Sequence, residues 1–237
     1  MKRTMQKVFN ALGYEVHELS LSAPRRRLEM MQRLGINFVL DVGANVGEYA
    51  TGLRRSGFQG RIWSYEPLHE IFALLEKTTA FDDKWKAINC GCGATAGSAT
   101  INVAKNRYSS SLLPMLAVHV TSEPESQYIS QETISLCSLD DSVMPSLNAS
   151  DNLWLKIDAQ GYEAEVLKGA KRLMPRVSAL EIELSLVPLY QGQLLIGEMI
   201  AMLYRLDFRL VGVAPKPVFC EPETGYSLQI DATFAKV

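Results

Sequence analysis

The sequence predicts an α/β protein on a doubly wound, mostly parallel sheet. Short apolar runs alternate with amphipathic helical stretches along most of the chain. The run Phe38-Val39-Leu40-Asp41-Val42 enters a glycine loop, Asp41-x-Gly43-x-Asn45-x-Gly47, as a buried strand hands over to a helix. Further strand-like runs end in polar residues, at Glu66, Asn89 and Asp158. Open α/β sheets bind ligands at those carboxyl ends.

The bulk composition fits one such domain. The chain has 237 residues, 47% hydrophobic and 21% charged, with a net charge of −2. It has the length for a large α/β core and lacks a broad basic field that would attract nucleic acid. No apolar run has the length of a transmembrane helix. Lys2, Arg3 and Lys7 are not followed by the apolar core of a signal peptide. The four cysteines, Cys90, Cys92, Cys137 and Cys220, lack zinc-type spacing and read as reduced thiols in a cytoplasmic protein. His17, His69 and His119 are scattered, and no metal site is expected.

The elements follow in order. Residues 1–36 read as an amphipathic helical segment, with Arg25-Arg26-Arg27 a solvated helix end and Gly35 a C-cap. Residues 37–237 read as the α/β domain. Phe38–Val42 is its first strand, and the helix from Gly47 to Ser56 stops at Gly57. Gly60–Glu66 is a strand stopped by Pro67, and Leu68–Thr79 a helix. Trp85–Cys90 is a strand followed by a turn at Gly91-Cys92-Gly93, and Ala99–Val103 an extra strand. Residues 105–135 read as irregular, polar and Ser-rich, a candidate substrate loop or lid. Asn152–Asp158 is a strand, Glu163–Arg172 a helix, Ala179–Leu186 a strand and Ile196–Leu206 a helix. Phe208–Ala214 and Tyr226–Ala235 have strand character and no helix between them, so the last strand runs antiparallel to its neighbour.

The loop spacing bears on the ligand. A dinucleotide fingerprint is G-x-G-x-x-G around a pyrophosphate. Here the glycines are spaced G-x-x-x-G, and Asp41 would repel a pyrophosphate. The loop suits a cationic ligand without phosphate, such as S-adenosyl-L-methionine. Glu66 lies about twenty residues beyond the loop, where an acid accepts hydrogen bonds from a ribose diol. Asn89, Cys90 and Gly91 could line an adenine slot. Asp158 and Glu163 are the candidate general bases, and Asp158 points toward the same crevice. Glu181 and Glu183 share a strand face, and with Tyr190 could bind an acceptor or a cation.

The chain resembles the FkbM-type methyltransferases, a branch of the class I Rossmann-like methyltransferases. The matching segments are Val39 to Gly47, Tyr65-Glu66-Pro67, and Leu155-Lys156-Ile157-Asp158-Ala159-Gln160-Gly161-Tyr162-Glu163. The continuation Val166 to Ala170 and the stretch from Glu183 to Gln191 also fit, so that the resemblance covers roughly residues 30–235. The chain departs from similar proteins at Gly93-Ala94, where they often carry an acidic or polar residue. The resemblance implies a seven-stranded sheet with an antiparallel last strand, S-adenosyl-L-methionine as cofactor, and methyl transfer to a hydroxyl of a small molecule, saccharide or natural product. It places Asp41, Gly43, Asn45 and Gly47 around the methionine part, Glu66 at the ribose and Asp158 near the reacting end; Ala44 and Pro67, inside the matched segments, and Asn89 and Gly91, from the strand-end reading, join the expected cofactor-binding set. The alternatives are an NAD(P)-dependent oxidoreductase and a non-catalytic cofactor-binding protein.

Overall fold

The computed structural model describes residues 23–215 and 219–237, with Phe9, Ala11 and Leu12 besides. Most of the expected helical stretch before Ala23 lies outside the described residues. Helix α1 spans Ala23–Arg33, β1 Phe38–Val42, α2 Glu48–Ser56, β2 Arg61–Tyr65, α3 His69–Thr79 and β3 Trp85–Ile88. Next come β4 (Gly91–Cys92), β5 (Gly97–Ala104), α4 (Ala117–Ser122), β6 (Tyr128–Cys137) and α5 (Leu139–Val143). The chain continues through β7 (Leu153–Ile157), α6 (Glu163–Lys168), β8 (Val177–Ser185), α7 (Ile196–Tyr204), β9 (Phe208–Pro215) and β10 (Gln229–Lys236).

The main sheet has seven strands in the order β3-β2-β1-β7-β8-β10-β9. The first five pair in parallel. Strand β10 lies between β8 and β9 and is antiparallel to both. The expected α/β class, strand number and antiparallel last strand are all present.

Strand β1 shows why the sheet is buried on both faces. Phe38, Leu40 and Val42 pack with Leu139, Val166, Leu173 and Leu203 on the side of α5, α6 and α7. Val39 points the other way and packs with Leu28 and Met31 of α1, Ala50 and Leu53 of α2, and Leu75 of α3. Alternation of side chains across a strand produces this three-layer core.

The segment from 89 to 137 departs from expectation. Gly91-Cys92 is not a turn but the short strand β4, parallel to β6. Residues 105–135 are not wholly irregular, because β6 starts at Tyr128 and runs antiparallel to β5. Together β4, β6 and β5 form a second sheet. Strand β6 was masked by its composition: Ser130, Gln131, Glu132 and Thr133 are polar, and Ile134 is its one fully buried residue. Helix α6 ends at Lys168, short of Arg172, because Gly169 closes against the carbonyl of Gly93.

Candidate active site

Strand β1 delivers the glycine loop to the carboxyl edge of the sheet. Gly43, Asn45 and Gly47 all have positive φ, at 71°, 51° and 87°. A Cβ on Gly43 would overlap the main-chain carbonyl oxygen of Asp158. The close approach that requires glycine here is therefore the end of β7. Gly47 is also a packing position, since a Cβ there would press on Trp85 and Leu75.

Glu66 fastens the loop to the end of β2. Its Oε2 accepts the Asn45 N–H at 2.9 Å and its Oε1 the Leu68 N–H at 3.0 Å. Burial raises its carboxyl to about 7 against the opposing pull of those two N–H groups. Asn89 stands behind this arrangement and donates to the carbonyls of Glu66 (2.9 Å) and Pro67 (3.0 Å).

Asp41 sits beneath the loop. It is fully buried, accepts the Ser64 hydroxyl at 3.1 Å, and lies 3.6 Å from the Lys156 ammonium. Burial raises its carboxyl, and Lys156 opposes the shift. Lys156 also lies 3.5 Å from Asp158 Oδ2 and donates to the Gly43 carbonyl at 3.2 Å. One half-buried cation thus offsets two carboxylates and ties β7 to the loop.

Two cavities meet at this edge. The first, about 290 Å³, is bounded by Gly43, Asn45, Glu66, Pro67, Leu68, Cys90, Gly91, Ile101, Leu112, Ile134 and Asp158, among others. The second, about 220 Å³, has Ala44, Glu48, Tyr49, Lys156, Glu181, Glu183, Asp231 and Arg27 in its wall. Gly43, Asn45, Tyr108 and Asp158 line both. The first cavity fits an adenosine bearing a cationic tail: a carboxylate at the strand end, apolar walls for a base, and a loop without the donor array a pyrophosphate needs.

The structure brings Gly43, Ala44, Asn45, Glu66, Pro67, Gly91 and Asp158 to these cavities. Asp41, Gly47, Asn89 and Glu163 line neither. Glu163 meets main-chain N–H groups instead. Its Oε1 accepts the Ala159 N–H at 3.0 Å and the Gly161 N–H at 3.1 Å, so it clamps the loop after β7 from behind. Burial raises its carboxyl to about 7.

Residues outside the sequence-derived set complete the site. Gln160, at φ 51°, donates through Nε2 to Asp158 Oδ1 (2.8 Å) and Glu183 Oε2 (2.9 Å), and its Oε1 accepts the Tyr190 hydroxyl at 2.6 Å. The segment after β5 crosses the loop: Asn45 donates to the Arg107 carbonyl at 2.5 Å, and Ser111 to the Gln160 carbonyl at 2.6 Å. Arg27 is not a solvated helix end. It forms a two-pronged pair with Glu181, both contacts 2.5 Å, and lies over the Tyr49 ring. A charged residue inside an apolar strand, as in Leu155-Lys156-Ile157, was the signal available for Lys156. Arg27 had none in its local pattern.

Among the described residues, no group of three His, Cys, Asp or Glu side chains is arranged to hold a metal ion, and no helix is long and apolar enough to cross a membrane.

Comparison with known proteins places this geometry. The chain is 27% identical over 154 residues to methyltransferase sdnD of Sordaria araneosa, a match covering 56% of this chain and 60% of that protein. The chain thus spans less than two thirds of that relative. The fold is shared with magnesium protoporphyrin IX methyltransferase of Synechocystis PCC 6803, solved with bound S-adenosylmethionine. That match has a TM-score of 0.50 at 11% identity and covers 100% of this chain and 97% of the other. The methyltransferase FkbM domain matches residues 41–210, most of the chain. The protein belongs to the FkbM methyltransferase family.

Proposed function

We propose that this chain methylates a hydroxyl oxygen on a small molecule, saccharide or natural product, with Asp158 as the general base. The observation that carries this reading is the position of Asp158 in the wall common to both cavities. The cofactor supplies a methyl group already activated by its sulfonium. In this reading it occupies the first cavity, with its ribose on Glu66, its base against Leu68, Gly91 and Ile134, and its amino-acid end at the Gly43–Asn45 turn. The acceptor occupies the second.

The chain's own part is positioning and proton removal. Holding the acceptor oxygen in line with the methyl group is worth up to about 7–11 kcal/mol of barrier. Asp158 takes the hydroxyl proton, and Gln160 fixes its Oδ1 so that the carboxylate keeps one orientation. Lys156 steadies the carboxylate charge from 3.5 Å. We place the catalytic domain at residues 37–237. The reduced thiols support a cytoplasmic setting.

Calorimetry with S-adenosylhomocysteine and with NAD tests the cofactor site. Binding of the first and not the second is expected, and the reverse would favour the oxidoreductase reading. A panel of hydroxylated compounds, scored by S-adenosylhomocysteine release, then tests the base. Asp158→Asn should bind cofactor normally and lose about 10²–10⁴ in turnover. Wild-type turnover in that variant would remove Asp158 from the role. Binding without transfer to any compound would favour a non-catalytic protein.

A further inference from the structure

Strand β8 brings a second carboxylate into the wall that Asp158 lines. Glu183 is buried and faces the second cavity beside Asp158. One amide joins the two: Gln160 Nε2 donates to Asp158 Oδ1 at 2.8 Å and to Glu183 Oε2 at 2.9 Å. The two carboxylate oxygens therefore stand within two hydrogen-bond lengths of each other. The Tyr190 hydroxyl holds the oxygen end of that amide at 2.6 Å, which keeps the N–H groups turned to the carboxylates. From β10, Gln229 Nε2 donates to the same Glu183 oxygen at 2.7 Å. Glu183 is thus fixed from two elements by neutral amides, and each of its oxygens can accept more than one hydrogen bond. Glu181, on the same strand face, instead closes on Arg27 with both oxygens. Two carboxylates this near each other repel, and hydroxyl donors between them relieve the cost. Lys156 and Arg27 stand in the same wall and oppose a cationic guest. A neutral molecule with two adjacent donors suits the pair.

We propose that Glu183 determines acceptor specificity: it binds one hydroxyl of a vicinal diol while Asp158 deprotonates the neighbouring hydroxyl for methylation. The inference rests on the reading above that the acceptor occupies the second cavity with Asp158 as base. Hydroxyls on adjacent carbons span the gap between the two carboxylates with one hydrogen bond each. In the transfer, the bond from the acceptor oxygen to the methyl carbon forms as the methyl–sulfur bond breaks. The electron pair of that bond goes to sulfur, and the hydroxyl proton goes to Asp158. Glu183 moves no proton; it holds the second hydroxyl and so sets which oxygen faces the methyl group. A methyl ether has no proton to give Glu183, so transfer stops after one methyl.

The test measures kcat/KM of the full chain, by S-adenosylhomocysteine release, on matched acceptors. Catechol is set against phenol and hydroquinone, and a methyl hexopyranoside against its monodeoxy analogues. The vicinal diol should exceed its partners by about 10-fold to 100-fold, the worth of a hydrogen bond to a charged group. Mass spectrometry should find singly methylated product alone. Glu183→Gln keeps the shape and removes the charge. It should lower the diol toward the level of its partners, chiefly through KM, with S-adenosylhomocysteine binding confirming that the variant is folded. A purely structural Glu183 would lower every acceptor alike, and that result overturns its role. If the variant does not fold, the wild-type ratio still decides. Phenol, hydroquinone or a monodeoxy sugar turned over as fast as its diol overturns the inference and leaves the hydroxyl reading intact. A diol preference that appears only with added Mg²⁺ and is lost in EDTA overturns direct binding by Glu183. Turnover of no compound, in a chain that binds S-adenosylhomocysteine, overturns the hydroxyl reading and this inference with it.

Discussion

Glu66 fastens the scaffold through both carboxylate oxygens and, in the reading proposed above, also meets the ligand. Its carboxyl is raised from an ordinary 4.5 to about 7, so the folded chain holds this proton more tightly than the unfolded chain. Its protonated form favours folding, and that contribution is lost as pH rises from about 4.5 through about 7. A ribose diol donates hydrogen bonds and prefers the ionised form. Affinity for S-adenosylhomocysteine should therefore climb as pH rises through about 7, read by calorimetry at several pH values. Glu66→Gln should bind more weakly and flatten the profile; an unchanged profile would separate Glu66 from the cofactor. Glu66 and Asp158 were legible in the sequence because strand ends announce themselves through polar residues closing apolar runs. Glu163 was legible as an acid near the site but not in its orientation, which depends on where the loop at Gly161 sends its N–H groups.

The junction of α6 with the second sheet is set by a single glycine. A Cβ on Gly169 would collide with the carbonyl of Gly93, and the Gly169 carbonyl accepts the Asp140 N–H at 2.8 Å. Gly169→Ala should cost about 1–3 kcal/mol, as overpacking does. It should lower the urea midpoint with an unchanged slope; an unaltered midpoint would show that the junction yields freely. Strands β1, β7 and β8 were readable because most of their residues are buried and apolar, with a few charged positions between them. Strand β6 was not, because half of it faces solvent and its polar residues match those of a loop. Strand β4 has two residues, too few to carry a period, and its pairing with Leu136 and Cys137 is made from more than forty positions away.

At the scale of the molecule, the site joins segments from both ends of the described chain. Arg27 and Asp231 share the wall of the second cavity, a proximity that no local pattern encodes. Ligand at 100 times its Kd should add about 2.7 kcal/mol of stability, worth about 2–4 °C in Tm per kcal/mol for a chain of this size. In hydrogen exchange, amides of residues 107–111 should gain protection with S-adenosylhomocysteine, since that segment is bonded to Asn45 and Gln160 across the first cavity. Unchanged exchange there would argue against its closing over the cofactor. The placement of β10 between β8 and β9 has a consequence for synthesis. In the main sheet β9 is bonded to β10 alone, so on the ribosome it has no ladder partner until residues 229–236 emerge. The five parallel strands can assemble while translation continues. The open flank of β8 then waits for a late insertion, and a chaperone that shields bare strand edges would act in that interval.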